Sequence, residues 1–79
     1  MTNETWGNNQ KAFQTAIREV RKKAGLTQVQ LSKLICKPQS YVSKYESGER
    51  RLDFIETVAV CESCSITIGN FNRIYKKNL

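Results

Sequence analysis

The stretch from Leu26 to Arg51, LTQVQLSKLICKPQSYVSKYESGERR, constrains the fold more than any other, because it holds two short helical patterns on either side of a break. Thr27 followed by Gln30 is a capping box, in which the hydroxyl accepts an open backbone N–H and the amide reaches back to the cap. A helix is therefore predicted from about Gln28. Leu31, Leu34 and Ile35 recur at helical spacing, and then Cys36-Lys37-Pro38 interrupts. A residue before proline is pushed out of the α region and the ring clashes inside a helix, so this helix should stop near Ile35. Pro38 suits the first turn of the next helix, where its missing N–H is no loss. Val42 and Tyr45 give that helix an inward edge, and Gly48 ends it. Two helices of about two turns each, joined by about three or four residues, are the shape of a helix-turn-helix, here over 28–47.

The flanking sequence completes an all-α reading with five helices. Residues 1–8, MTNETWGN, are polar except for Trp6 and lack periodicity, which predicts a loose arm with Trp6 free to pack on the domain or a partner. From a cap at about Asn9, the residues Phe13, Ala16, Ile17, Val20 and Ala24 fall on one helical face, and Gly25 ends that first helix. Arg21, Lys22 and Lys23 lie near its C-terminal end, where positive charge complements the helix dipole. Asp53 followed by Glu56 is an acidic capping box, predicting a fourth helix from about Phe54 to Cys64 with a stripe of Phe54, Thr57, Val58, Cys61 and Cys64. Ile55 and Val60 lie outside that stripe, so the helix should be largely covered. Thr67 caps a fifth helix, whose face is Ile68, Phe71, Ile74 and Tyr75 and whose end, with Arg73, Lys76 and Lys77, is basic and expected to fray. A single domain over 9–77 results, without internal repeats or linkers.

Its size and charge exclude several functions. A chain of 79 residues buries only about 60 per cent of its unfolded surface and has no room for a large active site. Thirteen Lys and Arg against seven Asp and Glu give a net charge of +6, which suits a polyanion such as nucleic acid or, more blandly, solubilises the surface. No apolar run reaches the length of a membrane span, and a cytoplasmic location is expected. Cys61 and Cys64 form a C-x-x-C, which invites a metal or redox reading; yet there is no histidine and only Cys36 to add, short of the four ligands of a structural zinc site. Both sit in a helical apolar pattern, so core filling is the preferred reading, and no metal or other cofactor is expected. Without histidine the usual general base is missing. The carboxylates Glu46, Glu49, Asp53 and Glu56 each have a capping, pairing or surface role that suffices, so no catalytic residue is assigned and no enzyme is expected.

Gly25-Leu26-Thr27-Gln28, Leu31-Ser32, Gln39-Ser40-Tyr41-Val42-Ser43-Lys44-Tyr45-Glu46 and Ser47-Gly48-Glu49-Arg50-Arg51-Leu52-Asp53 resemble the Cro/cI repressor-like helix-turn-helix regulators, often called XRE. The resemblance runs from about Phe13 to Phe71. It implies a compact five-helix repressor-like DNA-binding domain and an arginine at Arg21 that pairs with the glutamate at Glu46, tying the first helix to the end of the third. It also implies that Gln28 binds phosphate and braces the reading glutamine. The family usually carries glycine where Cys36 stands, and a left-handed conformation there costs a non-glycine residue about 1–2 kcal/mol. It usually carries Ser or Thr where Pro38 stands, so a side-chain cap is lost.

The expected function is sequence-specific binding of double-stranded DNA by a transcriptional regulator, a repressor in the first instance. In a helix-turn-helix the second helix enters the major groove by its N-terminal part. Gln39 and Ser40 then lead, Gln39 being able to pair bidentately with adenine, and Ser43 or Lys44 reach bases or phosphate one turn on. Tyr41 lies within the same reading segment, and Arg50 and Arg51, in the loop that follows, should hold phosphate. A homodimer on a two-fold symmetric operator is expected, with Ile68, Phe71, Ile74 and Tyr75 as interface and Ile55 and Val60 beside it; alternatively that face closes the monomer's core. No small-molecule ligand is evident. A different class, an antitoxin-type interaction module with autoregulatory DNA binding, would use the same fold.

Overall fold

Helix α1 begins at Asn3 and runs to Lys23, so residues 3–8 are helical and not the arm expected from their polarity. The reason is cooperativity: once the amphipathic segment has nucleated, each further residue adds one hydrogen bond for one residue fixed, and no proline stands in the way. Gly7 weakens this extension by about 1 kcal/mol without stopping it. The computed structural model describes the backbone from Asn3 to Leu79 and side chains from Gly7 onward. Met1, Thr2 and the expected packing of Trp6 lie outside these described residues.

Four shorter helices follow, α2 over Gln28–Leu34, α3 over Gln39–Ser47, α4 over Phe54–Ser63 and α5 over Ile68–Lys77, and the described residues contain no strand. Their starts are set by caps. Thr27 and Asp53 each close a full capping box, with Gln30 and Glu56, and the Thr67 hydroxyl accepts the Asn70 N–H at 3.1 Å. Pro38 does not occupy the first helical turn; it is the N-cap of α3, with φ −69° and ψ 157° and no side-chain cap bond. Proline's fixed φ suits the extended cap as well as a helix, and the carbonyl of Pro38 accepts the Tyr41 N–H at 3.0 Å.

Three helix ends share one device. Gly25, Cys36 and Ser65 have φ of 75°, 57° and 58°. In each case the next N–H bonds back five residues, from Leu26 to Arg21, Lys37 to Ser32 and Ile66 to Cys61, at 3.2, 2.9 and 3.0 Å. This is the Schellman arrangement, which turns the chain sharply while satisfying carbonyls of the last turn. The first and third corners also continue alike: Gly25-Leu26-Thr27 and Ser65-Ile66-Thr67 place a left-handed residue, an aliphatic packed on the core and a threonine cap in succession.

The core gathers Ala16, Ile17 and Val20 of α1, Leu31 of α2, Val42 and Tyr45 of α3, Val60, Cys61 and Cys64 from α4 and its cap, and Phe71 of α5. A radius of gyration of 12.1 Å is that of a folded chain of this length, roughly 12 Å. Ala24 is exposed because α1 has already ended, and Leu34 is exposed at the end of α2. In α4 the expected stripe is covered at Thr57, Cys61 and Cys64, with Val60 beside it, but the start of the helix is not covered: Phe54 and Ile55 stand 70% and 79% exposed. The α5 face closes the monomer: Phe71 meets Phe13 edge-on at 5.5 Å, and Ile74 and Tyr75 pack against the core. Val60 is buried beneath. That corrects the expected interface, since only Ile68 of the face retains substantial exposure. At the C-terminus Asn78 caps α5, its side chain donating to the Ile74 carbonyl at 2.8 Å.

Candidate nucleic-acid interface

Helix α3 is held by its inner side and left open on its outer one. Val42, Tyr45 and Glu46 are buried, whereas Gln39, Ser40, Ser43 and Lys44 are exposed. A helix period of 3.6 residues puts these four on one outward edge. Their side chains take no hydrogen bond or ion pair from the described residues.

Glu46 is the anchor at the C-terminal end. Its carboxylate, 1% exposed, accepts Arg21 Nε at 2.7 Å and Arg21 Nη2 at 3.0 Å, a bidentate pair from α1 to α3. Gln28 Nε2 donates to the same group at 3.1 Å, which brings in α2. Arg18 adds Nε at 3.7 Å and donates to the Glu46 carbonyl at 3.4 Å. Arg21 also donates through Nη1 to the Leu26 carbonyl at 3.0 Å, and the Glu46 carboxylate beside it raises its already high pKa. One buried carboxylate therefore joins the first three helices. Gln28 sits half-buried with one amide hydrogen committed to Glu46.

A second cluster holds the N-terminal end. Tyr41 is half-buried, and its hydroxyl donates to Glu56 Oε2 at 3.0 Å. Arg50 Nη2 and Nη1 donate to Oε2 and Oε1 of the same carboxylate at 2.7 and 3.3 Å. The Arg50 guanidinium lies over the Tyr41 ring at 4.5 Å, and Lys37 Nζ lies 5.4 Å from the same ring, both in cation–π reach. Arg50 before all, and the Asp53 N–H of the capping box after it, hold the Glu56 pKa down at about 2. Sequence reasoning found Glu56 only as a cap; its reach across the α3–α4 loop has no periodic signal. Arg51 is exposed and borders a cleft of about 270 Å³ with Phe13, Leu52, Phe71 and Tyr75.

The cysteine pair is part of the core. Burial pushes the Cys61 thiol up to about 11 and raises that of Cys64, which keeps both protonated at neutral pH and disfavours their attack as thiolates. Cys36, by contrast, is exposed in the turn.

The helix-turn-helix family model HTH_3 matches residues 17–68. The chain belongs to the XRE-type helix-turn-helix family. Among solved structures, this XRE-type domain is similar to an XRE-family like protein from Pseudomonas syringae pv. tomato str. DC3000, with a TM-score of 0.84, 32% identity and 96% of each chain covered. No curated protein matches it significantly. Membership carries double-stranded DNA binding and a role in transcription regulation, on a fold that is generally non-enzymatic. Among the described residues no helix of this XRE-type protein is long and apolar enough to cross a membrane.

Proposed function

We propose that the protein is a cytoplasmic transcriptional repressor that binds a two-fold symmetric DNA operator as a homodimer, reading bases with the outward edge of α3. The supporting observation is that Gln39, Ser40, Ser43 and Lys44 are exposed and internally uncommitted on a helix fixed at both ends. Gln39 pairs with adenine, Ser40 and Ser43 read neighbouring edges, and Lys44 takes guanine or phosphate. Gln28 offers its second amide hydrogen to a phosphate at the N-terminus of α2, and Arg51 extends the backbone contact. Tyr41 serves the site from behind, as a bracket.

The small readout of one domain favours two half-sites roughly 34 Å apart. Exposed Phe54 and Ile55, with Ile68 beside the same apolar cleft as Phe54, supply the candidate dimer face. Occupying an operator that overlaps a promoter then excludes polymerase.

Selection of duplexes from a random pool by the purified protein tests the reading. Gln39→Ala should weaken the selected operator by about 1–3 kcal/mol and relax the base choice at one position per half-site. Equal weakening on operator, single-base variants and unrelated DNA would reject α3 as the reading helix.

A further inference from the structure

The loop position of Arg50 suits a phosphate contact, yet its guanidinium is already engaged. The Glu56 carboxylate has two oxygens with about four acceptor sites, and four donors fill them. Oε1 accepts the Asp53 N–H at 2.9 Å and Arg50 Nη1 at 3.3 Å, and Oε2 accepts the Tyr41 hydroxyl at 3.0 Å and Arg50 Nη2 at 2.7 Å. Arg50 Nη1 also donates to the Arg51 carbonyl at 3.0 Å, and its face rests on Tyr41. The pair is open to solvent, with side-chain exposures of 39% for Arg50 and 26% for Glu56, so an incoming phosphate meets it and competes for the guanidinium.

We infer that Glu56 is a specificity-determining residue: it withholds the Arg50 cation from the DNA backbone and so keeps sequence-independent affinity low. The inference rests on the proposed reading of DNA by α3. A neutral ion pair presents a phosphate with a dipole, whose attraction falls off faster than that of a lone cation. Non-specific affinity follows the number of phosphates neutralised, whereas base contacts add only on the right sequence. Removing one available cation therefore weakens unrelated DNA and leaves the base contacts of α3 intact, which widens the ratio between operator and non-operator.

The experiment is a salt titration on the selected operator and on an unrelated duplex of equal length. Arg50→Ala should leave the slope of log affinity against log salt unchanged, because no phosphate contact is lost. Glu56→Gln, which retains an acceptor for the Asp53 N–H, should steepen that slope by about one unit and tighten unrelated DNA more than operator. Adding Arg50→Ala to Glu56→Gln should restore the original slope. A flattening by about one unit in Arg50→Ala that persists in the double variant, which leaves no bare carboxylate, would overturn the inference; melting temperatures of both variants check that the bracket between α3 and α4 still folds. An unchanged slope in folded Glu56→Gln, with operator preference intact and relaxed by Gln39→Ala, would overturn it while sparing the reading of α3. Absence of any operator preference in the unmodified protein would overturn both.

Discussion

Glu46 concentrates the consequences of a single side chain, because three donors from two other helices converge on one buried carboxylate. Arg21→Met leaves that anion without its main partner, and Glu46→Gln leaves a guanidinium that is 11% exposed without an anion. Each should cost up to about 3–5 kcal/mol, and the double variant less than the sum, since the desolvation penalty of an orphaned ion disappears when both charges go. A double-mutant cycle by urea unfolding measures this, and zero coupling would show two independently solvated charges. Cys36 is the opposite case, a residue whose backbone conformation works against it. At φ 57° and exposed, it should be improved by Cys36→Gly by about 0.5–1 kcal/mol, the relief of left-handed strain less the extra unfolded-state entropy of glycine. A lower melting temperature in Cys36→Gly would show that its side chain contributes packing.

At the scale of elements, the capped starts of α2, α4 and α5 were legible, whereas the start of α1, expected at about Asn9 and found at Asn3, was not. Thr27, Asp53 and Thr67 announce α2, α4 and α5 through side chains whose chemistry is local. The left-handed residue at Ser65 carries no such signal, although its neighbours echo Gly25-Leu26-Thr27; Ser65→Gly should therefore raise stability as Cys36→Gly does, and the two should add because the corners share no partner. The outward edge of α3 could be placed from the helix-turn-helix and the family resemblance, whereas the Arg50–Glu56–Tyr41 cluster depends on a loop conformation that no periodicity encodes. That cluster ties α3 to α4 and makes their junction sensitive to acid. The Glu56 pKa falls from an ordinary 4.5 to about 2 on folding, so its contribution is complete above pH about 4.5 and is lost as pH drops toward 2. The difference in melting temperature between the unmodified protein and Glu56→Gln should shrink over that range, and a constant difference would exclude this linkage.

For the whole molecule, the proposed dimer has the exposed apolar residues at the start of α4 as its interface. Ile55→Glu should convert a dimer to a monomer in sedimentation velocity and lose cooperative operator binding, with little change in melting temperature of the monomer because this side chain is 79% exposed. An Ile55→Glu protein that still sediments as a dimer would move the interface elsewhere. The two clusters that brace α3 also separate what the domain must preserve from what it is free to alter. Its stability resides on the inner side, in Val42, Tyr45, Glu46 and the Tyr41 bracket, while its outer positions 39, 40, 43 and 44 carry no internal bond. If α3 reads DNA as proposed, those four positions form an exchangeable address: new operators can be acquired, by drift or by design, one side chain at a time on a chassis that does not register the change.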